Sequence, residues 1–471
     1  MISRAEHQAA PSAPLNIWLV VATAFISIVG LSFQLPLFDL DEGAFTSATR
    51  EMLETGNWVS TYMNGVPRHD KPILIYWLQA MSVSTFGMSE FSLRLPSMIA
   101  AGLWLWVVFR FLRLQADDET AKYWVIVFGC MPLASLIFKA ATADALLNLF
   151  LTAACLEVYL YLATYGKFSD KCTPLHGSHT AHLFRIGLIF GLGFLTKGPV
   201  AVVIPAAVSL LFCLTYGWSL VIVWLRCVIN PVILVTFLAI ITPWHIASYL
   251  DQGWAFFEGF YLKHNVSRFS ETMEQHGGNP FYYLVILPFL LLPVFGVFVA
   301  SLRNALKFWQ SPLGRFCWIW FAIVLTLFSF SQTQLPHYLL YGLPPLLILI
   351  ALELKHAGKL SVLFAGLAVA LFAAIPLALD NAVESTKADF DKGALALASQ
   401  TFDQGFIWLV LAAFALAVFI WLPKALNPLS CVHRVLLGCF GCTLVFNFLL
   451  MPVVGAGQQA PIQEAVAEAK K

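Results

Sequence analysis

The feature that most limits how this chain can fold is the recurrence of apolar runs along its whole length. A bilayer core about 30 Å thick calls for about 20 apolar residues per helix. Thirteen such runs are recognised, from 17–36 to 434–453, and two short ones, 184–197 and 199–216, meet at Lys197-Gly198-Pro199. Only 11% of the residues are charged, against about 25% in soluble proteins, so the chain is expected to be solvated by lipid. Its 14% aromatic content excludes disorder, and a net charge of +1 gives no electrostatic case for nucleic acid.

Lys and Arg collect in one set of short loops, whereas Asp and Glu predominate in the other set. The positive-inside rule then puts the N-terminus inside and the C-terminus outside. No small-residue cleavage pattern follows the first run, which is expected to be a retained anchor. Cysteines fall in the runs or in inner loops and read as buried or reduced thiols. The expected organisation is one transmembrane module, 1–453, with outer loops 37–95, 247–280 and 380–405 and a short outer tail, 454–471. Long loops of this kind usually carry function.

In the first outer loop, Asp41-Glu42 precedes apolar residues at 45, 48, 52 and 53, the spacing of an amphipathic helix lying on the membrane. Carboxylates are favoured at such an N-terminus, and capping is the competing reading of both. A charged turn, Arg68-His69-Asp70-Lys71-Pro72, leads to a second surface helix through Tyr76-Trp77-Leu78-Gln79-Ala80, and Arg94-Leu95-Pro96-Ser97 opens the next span. Arg94 is expected to anchor that entry.

This ordered set resembles the first outer loop of the lipid-linked-sugar glycosyltransferases of the GT-C class, bacterial aminoarabinose transferases and the dolichyl-phosphate-mannose-protein mannosyltransferase family in particular. Thr142-Ala143-Asp144, Thr196-Lys197-Gly198-Pro199, Pro243-Trp244-His245, His264 through Arg268-Phe269, and Leu335-Pro336-His337-Tyr338 continue the resemblance in order, over roughly residues 15–350. It implies an all-α polytopic GT-C fold of about thirteen transmembrane helices. It also implies transfer of a sugar from a polyprenyl-phosphate donor to a lipid A, envelope-glycan or protein acceptor. The setting implied is a bacterial inner membrane with the site facing the periplasm.

Such chemistry needs a carboxylate for the acceptor proton and cations for the donor phosphate. The resemblance assigns the base to Asp41, with inversion implied, and Asp144 and Glu42 are further catalytic candidates. Lys71 and Lys197 are candidate point cations, and Arg50, Arg68 and Arg268 candidate bidentate partners for phosphate. Snorkelling at the boundary is the competing reading for each. His337 and Tyr338 are candidate substrate contacts. Asp70 and His264 match positions that resemble a divalent-ion site, zinc or magnesium, although four protein ligands cannot be assembled from this spacing. Ala44-Phe45 replaces the Arg-Tyr usual after the first acidic pair, and Gln334 stands where many relatives have Lys, so aminoarabinose itself is not assumed as the sugar. A transporter or flippase is the rival class, but no internal repeat is detected and only Glu157 falls in mid-span.

Overall fold

The computed structural model describes residues 15–38, 41–166, 168, 178–266, 279–378 and 404–455. The first span, α1 (Ile17–Val29), is capped by the Asn16 side chain. After it, α2 (Asp41–Thr55) and α3 (Leu74–Phe86) form the expected pair of surface helices. The segment between them holds a small hairpin the sequence reading lacked, β1 (Tyr62–Met63) against β2 (Val66–Pro67). Asn64 and Gly65 turn it at φ 55° and 74°, the left-handed pair that a two-residue hairpin loop needs.

The bundle continues through α4 (Glu90–Gln115), α5 (Asp118–Gly129), α6 (Pro132–Lys139), α7 (Asp144–Tyr165), α8 (His179–Lys197), α9 (Val200–Leu214), α10 (Trp218–Val228) and α11 (Pro231–Gln252). A short α12 (Ala255–Phe257) then runs into a π-helix, Glu258–Val266. Next come α13 (Tyr282–Leu290), α14 (Phe295–Arg303), α15 (Ala305–Gln310), α16 (Pro312–Ser329) and a 3₁₀ segment, Pro336–Tyr341. The last four helices are α17 (Leu343–Leu354), α18 (Lys359–Ala374), α19 (Gln404–Trp421) and α20 (Cys431–Val445).

Among the described residues, five helices are long and apolar enough to cross a membrane, and seven if two bent pairs each count as one span. Six further apolar helices have only 10–17 residues, so helix length does not by itself return thirteen spans. Both bends have a proline at the break. Residues 123–139, expected as one span, bend by 79° between α5 and α6, where Pro132 opens the second helix without an N–H to donate. The α13–α14 pair bends by 68° near Pro293.

α7 is the centre of the bundle, with 89% of its apolar window buried, whereas α11 is peripheral at 17%. Lipid tails are as apolar as leucine, so these helices associate through close packing and not through exclusion of water. Gly187 and Gly191 on α8 permit this against α11: a Cβ would lie 2.8 Å from the Ile233 carbonyl at the first and 2.9 Å from Ile240 at the second. Glu157, the expected mid-span charge, is held by Arg185 at 2.5 Å with His182 at 3.4 Å.

The first loop is tied to the bundle by a buried ion pair. Arg94, 1% exposed, places Nε 3.0 Å and Nη2 2.7 Å from the two carboxylate oxygens of Glu42, which is 2% exposed. Its other N–H groups donate to the carbonyls of Ser32, Leu35 and Pro36, so all five donors are used. Gln79, fully buried, bonds Thr49 of α2, the Leu93 carbonyl of α4 and the Ala141 carbonyl before α7. Arg94→Met leaves Glu42 buried without its cation and is expected to cost about 3–5 kcal/mol. Glu42→Met/Arg94→Met should recover part of that loss, and thermal unfolding of both variants in one detergent checks the order.

Candidate active site

Capping and backbone geometry decide what each carboxylate near the site can do. Glu42 accepts from Phe38 N at 2.7 Å and Ala141 N at 2.6 Å in addition to Arg94. Four donors fill the four lone-pair positions of a carboxylate, so the expected catalytic role for Glu42 is corrected to a structural one. Asp41, the first residue of the same helix, is exposed, and among the described residues no hydrogen bond or ion pair engages its carboxylate. Arg68 lies within electrostatic reach of it.

Asp144 opens α7, and its buried carboxylate is the hub of a second group. Lys197, the last residue of α8, brings Nζ to 2.5 Å from Oδ1, Thr142 donates to Oδ2 at 3.2 Å, and His337 Nε2 lies 3.9 Å from Oδ1. Lys197 also donates to the Tyr341 hydroxyl at 3.1 Å and faces the rings of Tyr338 and Tyr341 at 5.8 and 5.9 Å. Elements far apart in sequence, α7, α8 and the 3₁₀ segment 336–341, therefore meet at one carboxylate. Asp144 was expected as a catalytic candidate; the structure gives it a lysine partner.

The charged turn forms a third group. Arg68 grips Asp70 with Nε and Nη2, each 2.6 Å from a carboxylate oxygen, and Lys71 Nζ is 3.5 Å from Oδ2. Lys71 is also within electrostatic reach of Asp144, which links this group to the second. The Arg68 guanidinium stacks 5.0 Å from the Phe45 ring, and Phe45 stacks on Tyr76 at 5.5 Å. Burial pushes the Tyr76 phenol well above its ordinary pKa; the Asp70 carboxylate adds to the rise and Arg68 opposes it. Both Tyr76 Oη and Arg68 Nη1 are buried with no hydrogen-bond partner among the described residues, an arrangement that costs about 1–3 kcal/mol per group unless a ligand or water completes it.

Other expected residues stand apart. Arg50 is exposed and pairs with Glu54 at 3.6 Å, one helical turn away, so it joins none of these groups. Arg268 lies outside the described residues, and His264 is described in its backbone alone. Of the expected divalent-ion pair, Asp70 has both oxygens in the Arg68 fork and the His264 side chain lies outside the described residues, among which there is no cluster of three His, Cys, Asp or Glu suited to a metal. Trp244 and His245 are hydrogen-bonded within the protein. Trp244 donates to the Val59 carbonyl at 2.9 Å, and His245 donates from Nδ1 to the Ile241 carbonyl, leaving Nε2 to accept from the Tyr261 hydroxyl at 2.7 Å. Tyr76, Gln79 and Tyr341 were missed as individual residues, although the first two lie inside a motif already noted.

The architecture matches a known one. The crystal structure of ArnT from Cupriavidus metallidurans bound to undecaprenyl phosphate superposes with a TM-score of 0.77 at 20% identity, covering 94% of this chain and 78% of that one. The chain therefore shares the fold of that protein. Residues 70–246 match the family model for dolichyl-phosphate-mannose-protein mannosyltransferase. Two undecaprenyl phosphate-alpha-4-amino-4-deoxy-L-arabinose arabinosyl transferases are similar in sequence. That of Aeromonas hydrophila is 28% identical over 83% of this chain and 74% of its own length. That of Aeromonas salmonicida is 30% identical over 78% and 67%. The chain spans 59% of the length of a third, from Shewanella sediminis. It belongs to this family of integral-membrane glycosyltransferases.

Gly198 fixes where Lys197 ends. Its φ of 76° is unfavourable for any side chain, and a Cβ would lie 2.6 Å from the buried Phe260 ring. Gly253 has a similar φ of 62° with open space around it. Gly198→Ala is expected to lower stability by more than the strain term alone, about 1–3 kcal/mol, and Gly253→Ala by that term only; parallel thermal unfolding compares them.

Proposed function

We propose that this enzyme transfers a sugar from a polyprenyl-phosphate donor to an acceptor hydroxyl on the outer face of the membrane, with inversion at the anomeric carbon. The observation that carries this reading is the division of labour between adjacent carboxylates: Glu42 is saturated by four donors, whereas Asp41 is exposed and uncommitted. The acceptor oxygen attacks the anomeric carbon while the bond from that carbon to the phosphate oxygen breaks. Asp41 takes the acceptor proton, and polyprenyl phosphate leaves.

Negative charge grows on the phosphate as it departs, so cations aimed at it stabilise the transition state more than the ground state. Lys71 and Lys197 supply that charge beside Tyr338 and Tyr341, with His337 at the edge. The role of Asp144 is to hold Lys197 extended and charged in this cradle. The unpartnered Arg68 Nη1 and Tyr76 Oη offer one donor and one donor-acceptor to a polar substrate group. Lipid A, another envelope glycan or a protein would serve as acceptor.

Asp41→Asn is expected to lower transfer about 10²–10⁴-fold with donor binding and thermal stability preserved, measured on purified protein with a polyprenyl-phosphate-sugar. A rate near that of the wild type would overturn the base assignment and point to an acceptor already ionised, such as a phosphate. Lys71→Met is expected to weaken polyprenyl-phosphate binding about fivefold or more while leaving thermal unfolding nearly unchanged. Unaltered binding would remove Lys71 from the cradle.

A further inference from the structure

At the end of the bundle opposite Asp144, α18, α19 and α20 enclose a cleft of about 580 Å³. The location follows from α20 and its continuation, which run from Cys431 to Gly455. At the Gly455 end, Asn447 bonds Lys139, and Gly455 lies against Leu35 and Pro36, whose carbonyls hold Arg94. Arg434 is near the other end, about 30 Å away at 1.5 Å per residue. The cleft is therefore separated from the catalytic groups by the thickness of a membrane.

Among the described residues no carboxylate compensates its charge. Arg434 is 7% exposed, yet its guanidinium meets only carbonyls: Leu429 at 3.0 Å, Leu422 at 2.6 Å, Ile420 at 3.4 Å, and Asn427. Lys359 and Lys424 line the same cleft, and no ion pair engages either among the described residues. No acidic residue lines it. Glu353, nearby in sequence, bonds Asn304 at 2.9 Å and lies 3.7 Å from His356. Arg94, Arg68 and Lys197, near the active site, are each answered by a carboxylate instead.

The remaining walls are apolar, chiefly Val362, Leu363 and Leu429. Trp421 closes one side: its Nε1 donates to the Leu363 carbonyl at 3.1 Å, and its ring packs so closely on Gly366 that a Cβ there would lie 2.3 Å from it. A fixed aromatic wall, an aliphatic groove and three cations with no carboxylate partner among the described residues, at a helix-bundle boundary, match the two parts of an anionic phospholipid. We propose that this cleft binds one anionic phospholipid of the leaflet opposite the active site. The phosphate lies between Lys359 and Lys424 in the field of Arg434, and an acyl chain follows Val362 and Leu363. The site uses none of the residues assigned to donor or acceptor, so it stands or falls separately from the transferase mechanism.

Native mass spectrometry of the detergent-solubilised full chain, titrated with phosphatidylglycerol or phosphatidylcholine, tests it. The wild type is expected to retain one phosphatidylglycerol in preference to phosphatidylcholine. Each exposed lysine near an anionic surface is worth about fivefold in binding, so Lys359→Gln and Lys424→Gln should each weaken retention about fivefold and the double variant about 25-fold. Thermal unfolding on the same samples should not change. Equal retention of the two lipids, or undiminished phosphatidylglycerol in the variants, would overturn the proposal. So would displacement of the lipid by millimolar inorganic phosphate, which would mark a site for free anions. If the double variant fails to fold, the two single variants decide the outcome.

Discussion

The structure depends on one buried charge pair. Taking a carboxylate and a guanidinium out of water costs several kcal/mol for each ion, and that cost is offset only when the remaining hydrogen-bonding capacity is met. Glu42 and Arg94 meet it in full: four donors reach the carboxylate, and five acceptor contacts satisfy the guanidinium. The partners come from the segment after α1, the start of α2, the start of α4 and Ala141, ahead of α7. One interaction therefore sets how the first loop is seated on the bundle, where Asp41 emerges, and how Ala141 leads the chain into Asp144.

From that anchor the four acidic candidates acquire different chemistry. Glu42 is spent on architecture, Asp144 on orienting Lys197, and Asp70 on the fork of Arg68. Asp41 alone among these four carboxylates is exposed and without a hydrogen-bonding partner among the described residues. A base must be reachable by its substrate and not already neutralised, so the residue that contributes least to stability is the one suited to proton transfer.

Cations at the two ends of the bundle are handled differently. Near the site, Arg94, Arg68 and Lys197 are each matched by a carboxylate, which holds their side chains in fixed positions. Fixed positions are what electrostatic preorganisation requires. At the opposite end Arg434 is held by carbonyls, so its position is equally fixed but its charge stays available to an outside anion.

The sequence by itself determined the lipid environment, the all-helical class and the surface helices of the first loop, because these follow from the length and period of apolar runs, which are local properties. It also marked Asp41, Asp144, Lys71 and Lys197, because ionisable residues are costly at a membrane boundary and stand out against an apolar background. Pairing was decided by tertiary structure alone. Asp41 and Glu42 are neighbours in sequence and equally good helix-leading carboxylates, and only the approach of Arg94, 52 residues on, separates their roles. Asp144 reads as a helix cap until Lys197 and His337 are brought to it from 53 and 193 positions away. The bends at Pro132 and Pro293 likewise divide apolar runs that hydropathy joins, since hydropathy records what a residue prefers to be near and not the direction in which its helix continues.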